Sequence, residues 1–200
     1  MHIPKKGLRA LGIAESYSGR EHSTLAGIVM RRDLITDGIA FSRITVGGMD
    51  ATEGVLAIVN ALCRRDINVI LLSGCVIAFF NIIDPSGVYD RTGLPVICVT
   101  YEESAGLEGD IMHHFPGDTA RLEAYRRLGA RMPHVLPDGQ TVYLRSWGLY
   151  PADAGRLCTA FTCEGKIPEP LRVARLSARA AHAFCAPDTG NCPDRRFLIS

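Results

Sequence analysis

The chain has 200 residues, 47% of them hydrophobic, enough to bury one continuous core in a single domain spanning 1–200. Its 22 lysines and arginines face 21 acids for a formal charge of +1, so no bulk basic field draws it to nucleic acid and any such surface has to be local. The opening MHIPKKGLRALGIAE lacks the uninterrupted apolar run of a secretory signal. The least charged stretch, residues 67–83, is too short and too polar for a membrane span, so the expectation is a cytoplasmic protein with no membrane partner.

In chain order, LRALGIAES reads as a strand ending near Glu15, LAGIVMRR as a second, and DGIAFSRITVGG as a third, broken by Gly47-Gly48. Short connections make these an antiparallel meander. Asp50 followed by Glu53 reads as a helix N-cap with its N3 partner, ahead of an apolar face of Val55, Ile58, Val59 and Leu62. Arg64-Arg65 then stand where the helix dipole favours cations. INVILLSG and LPVICVTY are continuous apolar strands of the kind buried on both faces of a parallel sheet, with the irregular or partly helical FFNIIDPSGVYDRTG between them. GLEGDIMHHF and DTARLEAYRRLG read as helices, the second with Leu122, Tyr125 and Leu128 inward. QTVYLRSWG is a late strand, PADAGRLCTAFT a helix opened by proline, and residues 171–184 a last helix before an irregular tail over 185–200. This order predicts an α/β, ribonuclease H-like mixed sheet: three antiparallel strands, then parallel strands, with helices on both faces. A doubly wound open sheet is the competing arrangement.

The strings LGIAES, GGMDATE, VILLSGCVIAFFNIID, TGLPVICVTYE and GKIPEPLRVARLSARA, in that order over residues 5–184, resemble the archaeal endonuclease dU family, itself related to endonuclease V. The resemblance implies a metal-dependent endonuclease acting on damaged, deaminated-base nucleic acid, with Mg²⁺ or Mn²⁺ as cofactor and DNA or RNA as partner. The family's acids are altered here. Its two aspartates closing the first strand stand as Ala14 and Glu15, the aspartate ahead of GLDAT as Gly47, and the one after the fourth strand as Ser73. The alternative is a non-catalytic nucleic-acid or nucleotide-binding protein on the same fold with its metal cluster degraded.

Glu15 at the first strand's end is the candidate catalytic and metal-binding acid, able to hold a hard cation and orient water. Asp50 is a second candidate for both roles, set against its helix-cap role. Asp84, followed by Pro85, is a catalytic candidate or a cap, and Glu102 and Glu103 are metal candidates at the carboxyl end of a central strand. Ser73 and Asn81 offer hydrogen bonds to phosphate or a base edge. Arg172, Arg175 and Arg179, spaced 3 and 4 apart with His182 continuing the row, form a candidate phosphate-contact stripe beside the apolar Leu171, Ala174, Ala178, Ala181 and Cys185. His113-His114 cannot share a helical face. The seven cysteines are an odd count: Cys75 and Cys98 suit buried thiols, and Cys158, Cys163, Cys185 and Cys192 lack the tight spacing of a zinc knuckle.

Overall fold

The computed structural model describes residues 7–17 and 21–185. Three long strands come first: β1 (Arg9–Ser16), β2 (His22–Arg31) and β3 (Thr36–Thr45), paired as an antiparallel meander. After α1 (Ala51–Leu62) the apolar run forms β4 (Val69–Ser73), parallel to β1. A two-residue hairpin, β5 (Val76–Ile77) with β6 (Asn81–Ile82), and α2 (Pro85–Thr92) lead to β7 (Val96–Thr100), parallel to β4. Next come α3 (Glu108–His114), α4 (Thr119–Arg127) and the antiparallel pair β8 (Met132–Val135) and β9 (Thr141–Trp147). The chain ends in α5 (Pro151–Ala160) and α6 (Glu169–Cys185).

The main sheet has the order β3-β2-β1-β4-β7-β9-β8. Three antiparallel strands beside the parallel β1, β4 and β7 give the ribonuclease H-like arrangement and dispose of the doubly wound alternative. Strand β8 goes beyond the expected elements, and the expected tail beyond Cys185 lies outside the described residues. The pleat sorts the two faces. Leu11 and Ile13 of β1 and Ile70 and Leu72 of β4 pack with Val55 and Ile58 of α1. Ala10 of β1, with Val69 and Leu71 of β4, packs with Leu157 of α5, Phe161 at that helix's C-cap and Leu171 of α6. Gly12 sets how closely α6 approaches, since a Cβ there would lie 2.4 Å from the Pro170 carbonyl carbon. That contact gives the PEPLRVAR string its physical meaning.

Arg64 does not end α1. The helix stops at Leu62, with Cys63 left-handed at its C-cap, and Arg64 turns instead to Asp66 and Asp37. Among the described residues no helix is long and apolar enough to cross a membrane.

Candidate functional site

The parallel strands β1, β4 and β7 end at one edge of the sheet, and β3, antiparallel to β2 as β2 is to β1, ends there too. Open α/β sheets place ligands at such an edge. The pleat, however, divides the candidates between the two faces. The β1–β4 register pairs Ile13 with Leu72, and one further step sets Ala14 beside Ser73. Ala14 packs with Ile28, Met30 and Ala174 of α6. Ser73 accepts a hydrogen bond from Arg175 Nη2 of α6 at 3.0 Å. Glu15, one residue on from Ala14, is turned to the opposite face, where it accepts from Ser23 Oγ at 2.6 Å and the Ala78 amide at 3.3 Å.

On the α6 face the arginine stripe is not uniform. Arg172 is exposed and held by Glu169, Arg179 is exposed, and Arg175 alone leans inward. Its guanidinium carbon is 5.8 Å from the centre of the Tyr101 ring, which follows β7. The Tyr101 hydroxyl is buried and meets no partner at hydrogen-bond geometry among the described residues. Burial pushes its pKa up to about 12, against the pull of the nearby Ser73 hydroxyl and Arg175 charge, so it remains a proton donor at neutral pH. His182, the last residue of the expected stripe, sits with Nδ1 3.3 Å from Thr24 Oγ1 of β2.

The other face is organised by Asn81, which is fully buried. Its Oδ1 accepts from the Ala51 amide at 3.0 Å, and its Nδ2 donates to the Thr45 carbonyl at 2.8 Å and to Asp50 at 2.6 Å. This corrects two expectations. Asp50 makes no side-chain cap on α1; the side chain of Asn81, thirty residues on, accepts the helix's first amide instead. Asn81, sealed and fully engaged, is not a free donor for phosphate or a base. Asp50 turns back to accept from the Thr45 amide at 3.1 Å and hydroxyl at 2.9 Å. Burial pushes its carboxyl up, but the hydrogen bonds from Asn81 and Thr45 outweigh burial and hold it below the ordinary aspartate value. Glu53, the expected capping-box partner, pairs with Arg91 across to α2.

Between Ser73 and Asn81 the chain makes an unusual turn. Ala78, Phe79 and Phe80 have φ of 41°, 59° and 61°, three successive non-glycine residues in the left-handed region, at a cost of about 1–2 kcal/mol each. Sequence reasoning passed over the group that holds it. Arg121 of α4, 4% exposed, donates to the carbonyls of Gly47 at 2.9 Å and Gly48 at 3.0 Å and to that of Phe80, and pairs with Asp118 at 3.0 Å. Its guanidinium stacks 3.9 Å over the Phe115 ring. One signal pointed to it: 121, 125 and 128 share the i, i+4, i+7 stripe that carries the helix's inward residues. Phe79, Tyr101 and the unpaired Tyr101 hydroxyl left no comparable mark in the sequence.

The remaining candidates are dispersed. Asp84 caps α2 by accepting from the Ser86 amide at 3.1 Å. Glu102 and Glu103 are carried into an exposed loop, Glu102 beside Lys166 at 3.3 Å with 83% of its side chain exposed. His113 and His114 are exposed with ring centres 4.9 Å apart. Cys75 and Cys98 are buried as expected, Cys158 is buried, Cys163 and Cys185 are exposed, and Cys192 lies outside the described residues. Among the described residues no group of three or more histidines, cysteines and acids is placed to hold a metal ion.

The endonuclease dU family model matches residues 6–182. The chain belongs to the endonuclease dU family. A UPF0215 protein of Pyrobaculum calidifontis is 42% identical over 179 residues, covering 87% of this chain and 97% of its own. Among solved structures, a protein of unknown function from Archaeoglobus fulgidus matches with a TM-score of 0.74 at 27% identity, over 87% of this chain and 98% of that one. Endonuclease V of Ciona intestinalis, in complex with a 24mer DNA containing an inosine followed by a ribo-adenosine, matches at 0.62 and 14% identity over 90% of this chain and 87% of that one. This endonuclease dU member thus shares the endonuclease V fold.

Proposed function

We propose that this endonuclease dU member binds nucleic acid without a divalent ion, holding a phosphodiester on Arg175 at the carboxyl end of β4. One observation carries the reading: the guanidinium stands on Ser73, the position at which the family resemblance leads to an aspartate. The local donor set fits Mg²⁺ or Mn²⁺ poorly. A hard cation needs several carboxylate oxygens, and this face offers the Ala14 methyl, the Ser73 hydroxyl and a fixed positive charge. Arginine matches phosphate geometry in two-pronged fashion. Exposed Arg179 extends the positive row along α6. The fold shared with an endonuclease V caught on DNA supports nucleic acid as the ligand class.

One observation favours the second reading, a metal-dependent endonuclease acting on deaminated bases: the Glu15 carboxylate remains at this edge of the sheet, on its other face. The two readings part in one experiment. Binding of a labelled single-stranded oligonucleotide is measured by anisotropy in EDTA and in Mg²⁺ or Mn²⁺, alongside cleavage of an inosine-containing strand. Metal-free binding predicts affinity in EDTA at least as high as in Mg²⁺ or Mn²⁺, whose ions compete for the phosphates, and no cleavage. Arg175→Ala then weakens binding about tenfold and lowers the salt slope by roughly 0.7, the share of one single-strand phosphate. Metal-dependent cleavage that disappears in Glu15→Gln, with the fold intact, overturns the proposal and restores the endonuclease.

A further inference from the structure

We infer that Phe79 is a stacking platform for one unpaired nucleobase, held out at the sheet edge by the left-handed turn. This rests on the nucleic-acid reading above and gives it a base contact. Phe79 is 42% exposed, although it lies in the middle of an otherwise apolar segment. It is not a loose surface ring. Phe80 is 5.3 Å, His114 5.1 Å and Phe115 5.6 Å from its centre, so its flank is walled by other rings while the remainder faces solvent. Phe115 in turn lies against the buried Arg121 guanidinium at 3.9 Å.

The backbone beneath Phe79 is pinned on both sides. The Ala78 amide donates to Glu15, the Ala78 carbonyl accepts from Gly47 at 2.8 Å, and the Phe80 carbonyl accepts from Arg121. A turn in a disfavoured conformation persists only where its surroundings over-determine it, and such turns cluster at ligand sites. Gly47 lines the rings: with φ of 70° it takes the left-handed turn that favours glycine, and a Cβ there would stand in van der Waals contact, 3.5 Å from both the Phe79 and Phe115 rings.

The occupant follows from position and chemistry. The platform is one residue from the Glu15 contact, at the edge where the strands end, on the face opposite Ser73 and Arg175. A strand with a phosphate on Arg175 that crosses this edge brings a base to it. A rigid ring pre-set to face outward contributes to affinity with little ordering cost, and every base offers it a π-face.

The test compares a single-stranded thymidine oligonucleotide of about 12 nucleotides with the abasic sugar-phosphate oligomer of equal length. The parent is expected to bind the base-bearing strand about tenfold more tightly, within what one stacked base contributes. Phe79→Leu, at an exposed position, should keep the melting temperature and abolish that preference without weakening abasic binding. Phe79→Trp should restore it, with indole emission quenched by the thymidine strand and not by the abasic one. If the parent binds both oligomers equally, or Phe79→Leu weakens both alike, the platform is refuted while the nucleic-acid reading stands. If the parent binds neither, both fail together. A change of oligomeric state in Phe79→Leu, with the base preference intact, assigns the ring to a second copy of the chain and overturns the inference.

Discussion

Replacing Asn81 with aspartate changes one amide nitrogen to oxygen in a side chain with no exposed surface. The acceptor that holds the Ala51 amide at 3.0 Å survives, so the start of α1 stays capped. Both donations are lost, to the Thr45 carbonyl at 2.8 Å and to Asp50 at 2.6 Å, and the new oxygen faces two acceptors. Each buried group left unpaired costs about 1–3 kcal/mol, so the total is on the order of 3 kcal/mol. For a chain of this length that lowers Tm by about 6–12 °C at pH 7.5. The pH dependence is diagnostic. The new carboxyl, crowded against Asp50, has a folded pKa above its unfolded value. Its penalty is therefore largest at high pH and shrinks as pH falls through that raised pKa, when a shared proton restores one hydrogen bond. The parent behaves oppositely: Asp50's depressed pKa contributes stability that is present above its unfolded value and is lost on acidification. Circular-dichroism melts from pH 7.5 down to 5.0 should show the two proteins converging. A gap under about 2 °C at pH 7.5, or one that stays constant on acidification, would refute the assignment of Asn81 as the hub of this corner.

Two further substitutions probe the other face. Gly12→Ala drives a methyl to within 2.4 Å of the Pro170 carbonyl carbon, so β1 or α6 must shift at about 1–3 kcal/mol. Gly7→Ala, with nothing within 4 Å, is the control, and a urea midpoint unchanged by Gly12→Ala contradicts the close approach. Ser73→Asp returns the family's acid to its place, yet Arg175 is already 3.0 Å from that side chain. The expected result is a half-buried ion pair worth about 0–1 kcal/mol and no heat of Mg²⁺ binding by calorimetry; millimolar Mg²⁺ affinity would show that the guanidinium does not hold the cation's place.

The sheet was legible because its strands carry their own periodicity. β1, β4 and β7 are apolar on both faces and α6 repeats its small residues on one, and those patterns do not depend on distant partners. β8 was invisible because MPHV is four residues long, contains proline and is largely exposed, leaving no alternation to read. The Asp50 reading failed for a different reason. Asp-x-x-Glu ahead of an apolar face is a local signature, and the group that met the helix amide came from thirty residues further on. The arginine stripe was half legible. At about 100° per residue, Arg175 stands roughly 40° from the buried Leu171, Arg179 roughly 80° and Arg172 roughly 100°. Helical geometry thus distinguishes the inward arginine from the outward pair, while spacing alone makes them equivalent.

The three altered acid positions are each filled by a different neighbour. Ala14 lies under Ala174, and a carboxylate there would have to push into the packing of α6 on β1 and β2. Ser73 carries Arg175. Gly47 has φ of 70°, which strains any other residue, and a Cβ there would touch the Phe79 and Phe115 rings at 3.5 Å. A site that had merely lost its ligands would keep the space and the negative field around them. Here the methyl is closed over, the hydroxyl is matched to a cation, and the glycine is roofed by aromatic rings that Arg121 holds down. Restoring one aspartate therefore meets a clash or a ready-made counter-charge before it meets a metal ion. This end of the sheet carries a positive group on one face, Arg175, and an aromatic group on the other, Phe79, and under the proposed reading these would be the groups that meet a phosphate and a base.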